Sequence, residues 1–174
     1  MPESTKQEAI REGAKYNSGM TGAGSKDEYF IRMHGQTDLP ELHRIDQICF
    51  EGDIAFTKAE MLFYLTHPNS IIAVAERQEE IVGFAVGQID GKASAHIFTL
   101  DVIPEARRQG VGTQLMRFLH QAFRSRNVKT VDLEVSIEND AAQRLYEQLQ
   151  YSRAGILPGY YRGREDAYRM TLSL

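Results

Sequence analysis

Leu100-Asp101-Val102-Ile103-Pro104-Glu105-Ala106-Arg107-Arg108-Gln109-Gly110-Val111-Gly112-Thr113 is the stretch on which the reading of this chain turns. The apolar run Ile97 to Ile103 has strand character and stops at Pro104, which fixes its own φ and donates no ladder hydrogen bond. A basic, glycine-containing loop follows. Val111, Leu115, Leu119, Ala122 and Phe123 then recur at spacings of three and four, which predicts a helix. Strand, loop and helix start together make an anion site, because the first helical N–H groups lack intrahelical partners and the dipole favours negative charge. Gly110 and Gly112 carry no Cβ, which lets a phosphate approach the backbone.

A Walker loop needs Gly-Lys-Ser/Thr, and Gly110-Val111-Gly112-Thr113 has no Lys. A dinucleotide fingerprint needs a third glycine where this chain has Leu115. On residues alone, an ordinary strand–helix turn with solvated arginines stays open beside the anion loop. The pattern Arg107-x-x-Gly110-x-Gly112, preceded by Leu100-Asp101-Val102-x-Pro104, resembles the acetyl-CoA pyrophosphate loop of the GNAT N-acetyltransferase superfamily.

Outward from that loop, 174 residues suit one domain of ordinary composition, 42% hydrophobic and 25% charged. A net charge of -4 without a basic surplus argues against a nucleic-acid partner. The single cysteine, Cys49, in the apolar series Leu42, Ile45, Ile48, Cys49, reads as a buried core thiol and fits a cytoplasmic, reducing setting. No signal-peptide core and no membrane-spanning apolar run is found, so no membrane partner is expected. No oligomeric state is specified. Residues 1–28 read as a flexible extension, Gly-rich from Asn17 to Ser25, and residues 29–174 as the domain.

Within the domain, Tyr29–Met33 is a first strand. Asp38 with Glu41, and Thr57 with Glu60, are capping-box pairs opening two helices. Strands follow over Ser70–Glu76, Ile81–Gln88 and Ala95–Ile103; after the long helix come a strand at Thr130–Val135, a helix at Asn139–Leu149 and two last strands. The order β-α-α-β-β-β-α-β-α-β-β predicts an α/β fold, and it resembles the GNAT fold, a mixed central sheet with helices on both faces.

Alternation puts Val131, Leu133 and Val135 on one face of their strand and Asp132 and Glu134 on the other, where parity alone favours solvent. Asn139 is an N-cap, and Ala142, Leu145, Tyr146 and Leu149 share one helix face, so Tyr146 by itself reads as core packing. The run Leu133-Glu134-Val135-x-x-x-Asn139-x-x-Ala142-x-x-Leu145-Tyr146 is similar to the active-site segment of RimI-type protein N-alpha-acetyltransferases. That resemblance implies Glu134 as general base toward the amine, directly or through water, and Tyr146 as general acid toward the departing thiolate. It implies cofactor contacts from Leu100, Val102, Arg107, Arg108, Gln109, Gly110, Val111, Gly112, Thr113 and Asn139. The Val102 N–H at a bulged strand end would polarise the thioester carbonyl, and the two arginines would supplement the loop amides. The pair Tyr160-Tyr161 in the Gly159–Gly163 hairpin is implied to contact substrate. His96 is an alternative base, read first as a structural strand histidine.

Gln150-Tyr151 departs from the family's Gly-Phe after the catalytic helix, and Glu51 to Phe56 lacks the family's Pro-Trp, which bears on peptide choice. The expected activity is acetyl transfer from acetyl-CoA, with no metal, to the α-amine of a protein or peptide by direct transfer in a ternary complex. A small amine or lysine side chain as acceptor, and a non-catalytic acyl-CoA sensor, are the alternatives. The chemistry suits these residue types: a peptide α-amine has a pKa of ~8 against ~10.4 for lysine, so a carboxylate base suffices.

Overall fold

The computed structural model describes residues 28–50 and 54–174; the Gly-rich extension and residues 51–53 lie outside them. The elements are β1 (Phe30–Met33), α1 (Leu39–Cys49), α2 (Lys58–Thr66), β2 (Ser70–Arg77), β3 (Glu80–Asp90), β4 (Ser94–Val102), α3 (Val111–Ser125), β5 (Thr130–Ser136), α4 (Asp140–Gln148), β6 (Ser152–Tyr161) and β7 (Glu165–Ser173). One sheet holds all seven strands in the order β1-β2-β3-β4-β5-β7-β6. Every neighbouring pair is antiparallel except β4–β5, which is parallel.

Strand parity divides the core in two. On β2, Ile71, Ala73 and Ala75 face one cluster with Val111, Leu115, Leu119 and Phe123 of α3 and Tyr146 of α4. Ile72 and Val74 face the other, with Leu42 and Ile45 of α1 and Met61 of α2. Helices thus cover both faces, and β2 reads as a continuous apolar run because neither side meets water.

Local chemistry explains most element ends. Thr57 and Glu60 form the capping box at α2, hydroxyl and carboxylate each taking the other's backbone N–H. Asp38 precedes α1 but makes no side-chain cap; its carboxylate instead takes the Arg32 guanidinium at 2.6 Å and the Gly35 N–H at 2.7 Å. An ion pair in reach outcompetes the helix amides for that carboxylate, and Glu41 turns to Arg44. On α1, Ile48 is 46% exposed and Cys49 only half-buried, its thiol donating to the Val102 carbonyl, so neither belongs to the core proper.

The glycine stop absent after α4 is replaced, not lost. Gln150 takes the left-handed conformation itself, φ +71°, and the Tyr151 N–H closes onto the Tyr146 carbonyl at 2.9 Å. Gln150→Gly is therefore expected to raise stability by about 0.5–1 kcal/mol, read by urea denaturation. An unchanged midpoint would mean Gln150 bears no strain there.

Tyr151 brings a hydroxyl where Phe would bring none, and buried His120 of α3 meets it at 2.8 Å. Burial lowers His120 to about 4, from ~6.5 in an unfolded chain. The folded pKa is the lower one, so this contribution is complete above pH ~6.5 and is lost as pH falls toward 4. Buried Asp46, raised to about 6, acts in the opposite sense across an overlapping range. The stability of the double variant His120→Leu/Tyr151→Phe, relative to wild type, should accordingly rise by roughly 3 kcal/mol between pH 7 and 4. A difference independent of pH would mean the imidazole takes up its proton as readily in the fold as in the unfolded chain.

Candidate active site

The loop between β4 and α3 presents a row of amides. The Arg107 N–H is used by the Pro104 carbonyl and the Gln114 N–H by the Gly110 carbonyl. Between them, the amides from Arg108 to Thr113 make no backbone hydrogen bond among the described residues. Arg108 and Gly110 are both left-handed, φ +59° and +82°. Within the protein, a Cβ on Gly110 would meet nothing, and its φ is left-handed; one on Gly112 would lie 3.4 Å from Leu145 and 3.6 Å from Leu100. Gly112 thus lets α3 start close against α4 and β4. Arg107 does not extend along the amide row: its Nε donates to the Val102 carbonyl at 2.9 Å, and its guanidinium nears the Cys49 thiol.

Beside the loop, β4 and β5 part. Their parallel pairing runs only from Ser94↔Thr130 to Ile97↔Leu133. Just there, β4 carries a bulge: Val86 pairs with Thr99 but Gly87 with Ile97, leaving Phe98 as the extra residue. One extra residue inverts the parity of everything after it. Ala95 and Ile97 face α3 before the bulge, and Leu100 and Val102 do so after it. The bulge therefore sits at Phe98, four residues before the Val102 position expected for it. Since the Ile103 N–H bonds to the Val82 carbonyl, alternation directs the N–H groups of Leu100 and Val102 away from β3, toward the parting.

Glu134 lies on the α1–α2 side of the parting. Its carboxylate is 2.8 Å from His96 Nε2, and the Tyr160 hydroxyl donates to it at 3.2 Å. The side chain is 13% exposed, so it is not the solvated carboxylate that parity alone favours. A pocket of about 600 Å³ opens over this group, bordered by Phe98, His67, Gln88 and Asp90. Rings of Phe56, Phe63, Tyr64, Phe98 and His96 make a contiguous run beside it, edge to face at Phe63–Tyr64 and tilted at the other contacts. Burial and the adjacent Glu134 push Tyr160 up to about 12. Tyr161 is raised to about 12 as well, with burial the larger cause.

Tyr146 comes from the opposite face. It is buried in the α3-side core, its ring 5.8 Å from that of Tyr151, and its hydroxyl makes no hydrogen bond among the described residues. Burial raises its pKa well above the ordinary tyrosine value, which keeps it a proton donor. Asn139 spends its side-chain oxygen capping α4, on the Ala142 N–H at 3.0 Å. A carboxylate–imidazole pair on one face, a protonated tyrosine on the other, and a row of amides at the end of the parting can together strip a proton, deliver one and hold an anion.

The sequence matches the acetyltransferase (GNAT) family over residues 39–151. The chain belongs to the GNAT acetyltransferase family. It is similar to the [ribosomal protein bS18]-alanine N-acetyltransferase of Escherichia coli strain K12, 34% identical over 142 residues, covering 79% of this chain and 93% of that one. An N-alpha-acetyltransferase of Sulfurisphaera tokodaii is 28% identical over 162 residues, covering 84% and 94%. The crystal structure of the ribosomal-protein-S18-alanine N-acetyltransferase from Escherichia coli superposes with a TM-score of 0.77 at 30% identity, over 84% of this chain and 94% of that one. This GNAT acetyltransferase also has no helix, among the described residues, long and apolar enough to cross a membrane.

His96 is the residue that sequence reasoning set aside. It was given as an alternative base and read first as a structural strand histidine; the β4–β5 register sets it opposite Asp132, with its ring reaching Glu134. Asp101 was quoted in the loop pattern with no role attached to it. It is fully buried, one oxygen held by the Thr99 hydroxyl at 2.9 Å and the other without a partner, and burial keeps it protonated beyond the usual carboxylate range.

Proposed function

We propose that this enzyme moves the acetyl group of acetyl-CoA to the N-terminal α-amine of a protein or peptide, by direct transfer with both substrates bound. The observation that carries this is Glu134 under the pocket where β4 and β5 part, with the protonated Tyr146 on the opposite face of the sheet. The relatives named for N-terminal acetylation support the acceptor class.

The residues fit acetyl-CoA: the unbonded amides from Arg108 to Thr113 suit a pyrophosphate, and the outward N–H groups of Leu100 and Val102 suit an amide-bearing arm. When bound, acetyl-CoA supplies the activated thioester. Glu134 holds the proton that the amine must lose, His96 beside it orienting the carboxylate or sharing that proton. The Leu100 and Val102 amides are available to polarise a carbonyl oxygen. Tyr146, protonated by virtue of its burial, donates to the leaving sulfur from the other face. Tyr160, hydrogen-bonded to Glu134, and Tyr161 close the acceptor side. The cytoplasm is the compartment in which such a reaction has its co-substrate.

The test is turnover on two peptides read by mass spectrometry, one with a free α-amine and blocked lysines, the other with a blocked N-terminus and a free lysine. Acetylation of the first alone is expected. Modification of the lysine peptide alone would reassign the acceptor to a side chain, and modification of neither would turn the assignment to small amines.

A further inference from the structure

Tyr29 stands just ahead of β1, remote in sequence from the amide row, yet it reaches the middle of it. Its hydroxyl donates to the Gln109 side-chain oxygen. Gln109 in turn donates from Nε2 to the Glu105 carbonyl at 2.8 Å, so one side chain ties the loop both to its own first turn and to β1. Tyr29 is itself held. Arg77, the last residue of β2, donates to its hydroxyl at 3.3 Å and lays its guanidinium 5.6 Å over the ring. Gln109 lies between Arg108 and Gly110, the two left-handed residues that turn the amides outward. A non-glycine residue in that conformation carries a cost, so Arg108 stays there only when its surroundings hold it. Arg107 anchors the start of the loop to β4 through the Val102 carbonyl, and the Arg77–Tyr29–Gln109–Glu105 chain is the side-chain tie at the Arg108–Gly110 turn itself, where the loop amides make no backbone bonds of their own.

We infer that Tyr29 is a positioning residue for the anion-binding loop, acting through Gln109 to preset the amide row for the pyrophosphate of the co-substrate. This rests on the reading of that loop as a pyrophosphate site. It assigns β1 and the end of β2 a part in cofactor affinity without contact to the cofactor.

The experiment compares acetyl-CoA with acetyl-pantetheine, which has the same thioester and arm but no pyrophosphate, on the full-length chain and on Tyr29→Phe. The wild type is expected to prefer acetyl-CoA strongly. Tyr29→Phe should weaken acetyl-CoA binding about fivefold, the scale of one hydrogen bond, and leave kcat at saturation unchanged. Its kcat/KM for acetyl-pantetheine and its melting temperature should match the wild type. Combining it with Gln109→Ala should cost no more than Gln109→Ala alone, because both break one chain of bonds. Unchanged acetyl-CoA affinity in Tyr29→Phe, or an equal loss with both thioesters, would overturn the inference while leaving the loop assignment standing. A wild type indifferent to the pyrophosphate would instead remove the loop assignment, and the inference with it.

Discussion

Glu134→Gln is expected to lower kcat/KM for a peptide α-amine by roughly 10²–10³-fold at pH 7, the range found for removing a general base. Gln keeps the volume and can still accept from the Tyr160 hydroxyl, so the Tyr160 contact and the pocket over it survive the change. What it removes is the anionic partner of His96, 2.8 Å away. The loss should shrink as pH rises toward ~8, where the α-amine sheds its own proton and needs less help. Rates across pH for both enzymes on one peptide read this directly. If the variant keeps wild-type turnover at every pH, the base is elsewhere and His96 is the next residue to replace.

Tyr146→Phe should cut turnover by about 10²-fold or more with the acetyl-CoA dissociation constant unchanged. The ring packs against Tyr151 in the α3-side core and the hydroxyl has no partner among the described residues, so Phe fits and the melting temperature should hold. Burial raises the Tyr146 pKa well above its ordinary value, so no loss of activity from its ionisation is expected on the alkaline side. Calorimetric binding and a steady-state assay separate the two quantities. Full turnover in the Phe variant would leave Tyr146 as a core residue and nothing more.

The helices and the glycine-containing turn from β4 into α3 were legible because their signals are local. Thr57 and Glu60 sit three apart and cap α2 as expected, and the spacing of Val111, Leu115, Leu119 and Phe123 marks the buried face of α3. At Asp38 the sequence misleads because a partner in a neighbouring element has intervened. Asp38 gives up its helix cap to Arg32, a residue of another element. The Gln78-Glu79 turn between β2 and β3 has both residues left-handed, φ +52° and +66°, with none of the Asn or Gly that such a turn favours. β6 runs through Pro158, which an edge strand tolerates. Of the site, Glu134 and Tyr146 were found by resemblance to a motif. His96 was named there only as an alternative base, and the Phe98 bulge and Tyr29 were not singled out, since each acquires its place from pairing between segments far apart in sequence.

A sheet ordinarily has two borders, and proteins guard them because an unsatisfied strand invites another chain to pair with it. The separation of β4 from β5 beyond Ile97 and Leu133 creates two more, in the interior of the sheet. Here the guard is packing. β5 is fixed on its far side to β7 along its whole length, and Gly112 lies against Leu145 and Leu100, so the two interior borders are held in place and cannot swing out to pair with another chain.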